Sequence, residues 1–186
     1  MKLSKPRLEP LQEQQWSDAV QDIMRPIKEQ QGEVPNIFKT LAHHPNLMRR
    51  WLVFGNHVLF KSTLPARERE LLILRIGWLC QAEYEWGQHV RIGRQAGLTN
   101  EEIHRIKTGP DASGWNERDQ LLLKATDELH QDAHMSDGTW QGLGKYYNTQ
   151  ELMDIVFAVG QYNLVSMALN TLGVQLDPGL PTFANT

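Results

Sequence analysis

A carboxylate and an imidazole four positions apart, Glu85 and His89, lie in the stretch Cys80-Gln81-Ala82-Glu83-Tyr84-Glu85-Trp86-Gly87-Gln88-His89. On a helix this spacing stacks the two side chains one turn apart on one face. A carboxylate so placed orients an imidazole and tunes its hold on a proton, which is what general acid–base catalysis requires. Apolar stretches flank the segment, and apolar walls shift the pKa values of titratable groups. Tyr84 and Trp86 are expected to shape a pocket there. His57, in the stripe Trp51, Phe54 and Val58, is a further candidate for the lining, as is Cys80. Arg75 interrupts the apolar run from Leu71 to Leu79. It is expected either to pair with an acid across a subunit boundary or to bind a substrate carboxylate. Plainer readings stand beside these. Glu85 and His89 could be a helix-surface pair worth a few tenths of a kcal/mol. His57 could be a hydrogen-bonded core histidine, and Cys80 a small buried hydrophobe.

Glu85 and His89 also have the spacing of two metal ligands on a helix, with His43, His44 or His57 as a third. The two-metal motif of helical bundles is Glu-x-x-His, present twice. That spacing is three rather than four and has no second copy here, so no metal and no cofactor are expected.

The elements that must position these groups read as helices throughout. Residues 11–30 carry Leu11, Trp16, Val20, Ile23, Met24 and Ile27 at helical spacing, with Pro26 expected to bend or end the helix. A short helix follows over 37–43, stopped before Pro45. Another covers 46–61. Pro65 suits a helix start, because its missing N–H has no partner there anyway. Periodicity then runs from Ala66 to Ala96. One helix of that length would extend about 46 Å, too far for so small a chain. A break near Cys80 to Glu83 is therefore predicted, giving helices over 66–79 and 83–96. Gly97 closes the second, and Thr99 with Glu102 forms a capping box for the next. Helices over 116–133, 137–147 and 150–173 complete the count. The fold class is all-α, a single domain over 1–186 with about seven or eight helices.

Net charge of −3 and a pI near 6.2 leave no basic field for nucleic acid. The single cysteine excludes an internal disulfide and fits a reducing compartment. The N-terminal residues have no apolar signal region, and the apolar runs are broken by Arg75 or Gln161. The expectation is a cytoplasmic protein that neither binds nucleic acid nor spans a membrane. Residues 1–10 and 174–186 look extended, with Leu3, Leu8, Leu180 and Phe183 free to wrap a neighbouring copy.

Three groups of residues resemble the carboxymuconolactone decarboxylase family of the AhpD-like superfamily. They are Pro35-Asn36-Ile37-Phe38 through Leu41-Ala42-His43-His44-Pro45, then Leu64-Pro65-Ala66-Arg67-Glu68-Arg69-Glu70, then Tyr84-Glu85-Trp86, His89 and Ala96-Gly97-Leu98-Thr99 with Glu102-Ile103. The resemblance is strongest over 32–107. It implies an AhpD-like helical bundle assembled as a homo-oligomer and acting on a small-molecule substrate without a cofactor. In the superfamily's peroxidase branch a glutamate precedes a Cys-x-x-Cys and a histidine. The glutamate falls on Glu70 and the histidine on His89, while the cysteine positions fall on Ala82 and Glu85. Thiol exchange needs two thiols, so a two-cysteine peroxidase mechanism is disfavoured.

The function expected is a lyase-like acid–base enzyme on a small lactone, carbonyl or carboxylic acid. His89 is the acid or base, Glu85 orients it, and Glu70 is the second carboxylate. On an unbroken helix Glu70 would lie about 22 Å from Glu85, so the relay depends on the predicted break. Two alternatives stay open: a peroxiredoxin-like activity through Cys80, and a non-catalytic oligomer that binds a ligand.

Overall fold

Capping residues and prolines divide the chain. In the computed structural model, which describes residues 2–186, the helices are α1 (Asp18–Gln31), α2 (Asn36–Leu41), α3 (Pro45–Phe60), α4 (Ala66–Leu79), α5 (Glu83–Gln95), α6 (Asn100–Thr108), α7 (Glu117–Asp132), α8 (Asp137–Leu143) and α9 (Thr149–Leu172). A 3-10 turn at Glu13–Gln15 precedes α1, and no strand occurs among the described residues. The all-α class is as expected, with nine α-helices among the described residues rather than about seven or eight. Thr99, Asn116, Ser136 and Asn148 each accept a backbone N–H at a helix start.

The first helix departs from expectation. Leu11 lies outside it, and Pro26 sits within α1 without ending it. Pro26 and Asp22 are exposed, so water can satisfy the carbonyl that proline leaves without a donor.

The break between α4 and α5 has a clear local cause. Gln81 takes a left-handed conformation (φ 52°), the Ala82 N–H bonds the Gly77 carbonyl, and the Gln81 N–H bonds that of Trp78. This double closure is the Schellman ending, usually built on glycine. It reverses the chain and lays α5 back along α4.

α4 is the central helix, packed on α5, α6, α7 and α9. Leu71, Leu72, Ile73, Leu74 and Ile76 are fully buried, as a helix apolar on every side must be. A smaller cluster joins Trp16, Val20 and Met24 to Val34, Ala42 and Met48, so α1, α2 and α3 form a layer over the bundle. α9 is long and apolar enough to cross a membrane by length and composition, despite Gln161. Half of that window is buried within the bundle.

Both ends fold back on the chain itself, which corrects the expectation that they lie free for a neighbour. Leu180 and Val174 are buried, and Phe183 packs edge-on to Trp78 with ring centres 5.0 Å apart. The N–H groups of Arg7 and Leu8 donate to the Leu172 carbonyl. These ends bury their apolar residues against α5 and α9, and of the four named only Leu8 stays exposed.

Candidate active site

The reversal at Gln81 brings Glu70 of α4 to His89 of α5. Gly93, one turn beyond His89, keeps the helices close: a Cβ there would lie 3.0 Å from Leu98 and 3.3 Å from Leu74. Glu70 Oε2 is 2.6 Å from His89 Nδ1, and Glu85 Oε1 is 2.9 Å from His89 Nε2. The imidazole is thus held between two carboxylates. Arg69 extends the row by donating from Nε to Glu70 Oε1 at 3.3 Å. Glu70 is wholly buried, and Glu85 and His89 are each 4% exposed.

Burial by itself would push the His89 pKa down. The facing charges of Glu70 and Glu85, and the hydrogen bonds to both, outweigh burial and hold it up at about 10. His89 is therefore an imidazolium at neutral pH, with both N–H groups occupied.

Glu85 and His89 open onto a cavity of about 300 Å³ between α1, α2, α3, α5 and α9; Glu70 lies behind them. Its walls are mostly apolar and include Ile27, Phe38, Trp51, Leu52 and Ile92. Tyr84 lines it too, tied by its hydroxyl to Asp177 at 2.6 Å. Burial foremost, then the Asp177 charge, pushes the Tyr84 phenol well above 10.

The other sequence candidates lie elsewhere. Trp86 is fully buried on another face of α5, against Trp78 and Phe183. His57 is exposed on α3 and does not line the cavity. Cys80 sits at the end of α4 with its Sγ 3.1 Å from Asn163 Oδ1, and burial pushes its thiol up. Arg75 pairs with Asp127 of the same chain at 2.6 and 2.8 Å and bonds the Ile106 and Lys107 carbonyls. Its role is to cap α6 and fasten α7, which replaces both the subunit-boundary and the substrate reading.

Two cavity residues escaped the sequence reading, Gln161 and Tyr162 of α9. The Tyr162 ring meets His89 edge-on, 4.8 Å between centres. Burial first, then Glu85 and Glu70, pushes its phenol well above 10, so it remains a proton donor. The available signal was a glutamine amid the apolar run of α9.

The all-helical bundle that holds this Glu–His–Glu row has an AhpD-like fold. Similar solved structures are an uncharacterized peroxidase-related protein from Ralstonia eutropha JMP134, described as an alkylhydroperoxidase AhpD core (19% identity, TM-score 0.83, 93% of each chain), and one from Silicibacter sp. TM1040 (16%, 0.79, 96% of this chain and 93% of that). A third is the debrominase Bmp8 in complex with 2,3,4-tribromopyrrole (14%, 0.76, 94% of each). At these identities the likeness is one of fold. Residues 45–128, which hold Glu70, Glu85 and His89, match the carboxymuconolactone decarboxylase family model, so the resemblance read from the motifs stands. No curated protein matches the chain.

Proposed function

We propose that this protein is a cofactor-independent acid–base enzyme that moves a proton on a small carbonyl or lactone substrate. The observation that carries this reading is the buried imidazole held between two carboxylates at the wall of an apolar cavity. Such a row costs desolvation energy that a purely structural pair on the helix surface would avoid. Glu85 takes the proton from carbon beside the carbonyl, the C–H electron pair moves toward oxygen, and the proton returns from Glu85 to the substrate. His89 holds Glu85 in place, and Glu70 in turn holds His89.

The test is uptake of solvent deuterium beside the carbonyl of small ketones and lactones, followed by NMR. Glu85→Gln should slow it by about 10²–10⁴-fold with helix content unchanged. An unaltered rate in that variant removes the relay from the chemistry. A peroxidase reading through Cys80 finds little support, since the thiol lies off the cavity and its pKa is pushed up.

We also propose self-association. Met153, Phe157, Leu164 and Met167 are each at least half exposed and share one face of α9, at steps of four, seven and three residues. Light scattering of Leu164→Glu tests this: wild type and variant of equal, monomeric mass would dismiss it.

A further inference from the structure

We infer, on the acid–base reading above, that the substrate is an uncharged carbonyl compound whose oxygen is held by the Gln161 amide and the Tyr162 hydroxyl. Substrates bearing a carboxylate are excluded.

Charge is the first argument. Of the ionisable row, Glu85 and His89 face the cavity with Glu70 behind them, and no lysine or arginine is found among the described residues that line it. Arg69 bonds Glu70, behind the row, and does not line the cavity. An anion entering here meets Glu85, and the one cation beside it, His89, already has both N–H groups taken by carboxylates. Like charges brought together in a dry site are strongly disfavoured.

Unmet hydrogen bonds are the second. Gln161 and Tyr162 are only 5% and 7% exposed, yet neither side chain hydrogen-bonds another described residue. Their polar atoms are not sealed, since the enclosed side-chain atom left without a partner among the described residues is Ser166 Oγ; they stay open to the cavity and to whatever enters it. These two diverge by about 100° around α9 and still reach the same cavity beside the relay. Both present donors, the amide N–H and a phenol that keeps its proton, and a carbonyl oxygen accepts two hydrogen bonds. Donors aimed at an oxygen that gains charge as the neighbouring C–H bond breaks are what such a reaction needs. At about 30 Å³ for each water in the liquid, the cavity of about 300 Å³ suits a compact molecule.

The experiment compares heptan-2-one with 6-oxoheptanoate, matched in chain and differing in charge, at pH 7.5. Binding is read by saturation-transfer NMR and reaction by deuterium uptake. The ketone should bind at least about tenfold more tightly, given the reach of an unscreened charge. Gln161→Lys supplies the missing cation and should narrow that ratio about tenfold or more. Tyr162→Phe keeps the ring against His89 and loses the donor; uptake should slow by about 10²-fold while ketone binding changes far less. Equal binding of the two probes, no binding of the ketone, or a ratio untouched by Gln161→Lys would overturn the inference. Selective binding with no deuterium uptake from any probe would instead overturn the acid–base reading and leave the substrate class standing. Should one variant lose helix content, the wild-type ratio and the other variant decide.

Discussion

His89 keeps a proton in the folded state that the unfolded chain releases, and stability must depend on pH accordingly. An unfolded histidine titrates near 6.5, and the folded His89 is held at about 10. Because the folded pKa is raised, the stabilisation is fully present below pH 6.5 and is lost as pH rises through about 10. Within that window each pH unit removes about 1.4 kcal/mol, so roughly 2–3 kcal/mol disappears between pH 7 and pH 9. The assay is urea denaturation at several pH values, for wild type and for His89→Gln. At pH 6 the variant should be weaker by roughly 3–5 kcal/mol, since two buried carboxylates lose their cation. That gap should shrink by roughly 2–3 kcal/mol from pH 7 to pH 9. Calorimetric unfolding at pH 8 in buffers of different ionisation enthalpy should register release of close to one proton from this site. Parallel stability profiles for wild type and variant across that window would refute the argument, because His89 would then carry no proton of its own into the fold.

Three further outcomes follow from the packing. Arg75→Met should cost roughly 3–5 kcal/mol in denaturant unfolding, stranding Asp127 and two α6 carbonyls, and Arg75→Lys should not restore it, because an ammonium cannot reproduce the guanidinium fork. Gly87→Ala would place a Cβ 2.6 Å from the Pro181 carbonyl oxygen; the tail must shift, at about 1–3 kcal/mol, and limited proteolysis should cut within residues 177–186 sooner than in wild type. Cys80→Ser should leave deuterium uptake within about twofold of wild type, since Cys80 lies off the cavity; a loss of tenfold or more would return the thiol to consideration.

Most helices were legible because their ends are written in short-range chemistry. Thr99 with Glu102, Asn116, Ser136 and Asn148 mark starts that need no tertiary information. The break after α4 was inferred from length, although its device, a left-handed Gln81, is invisible to propensity. The tails misled for the opposite reason. Extended segments carry no periodicity, so nothing local says that Leu180 and Phe183 return to cover α5. The same limit applies to the cavity. Tyr84, Glu85 and His89 lie within two turns of one helix, but Gln161 and Tyr162 reach them from α9, and only packing joins the two. Trp86 was misplaced because, one position on from Glu85, it points about 100° away, whereas Tyr84 on the other side still reaches the cavity.

The geometry also distributes the roles that spacing left interchangeable. Glu70 is sealed behind His89 and Glu85 borders the cavity, so of the two carboxylates only Glu85 can reach a substrate. An imidazole at about 10 already carries its proton near pH 7 and is poorly disposed to accept another. On the proposed reading the base is therefore Glu85, and His89 is the cation that keeps it poised. A thiol at position 85 would leave His89 with a different neighbour; a glutamate there gives it a second full-strength carboxylate and fixes it as a donor on both sides. The pH–rate profile separates the two assignments. With Glu85 as base, activity does not wait on loss of the His89 proton and is already present near pH 7. With His89 as base, activity rises only as the imidazole sheds its proton, near pH 10, and Glu85→Gln, which withdraws one of the charges holding that proton, should move the rise downward.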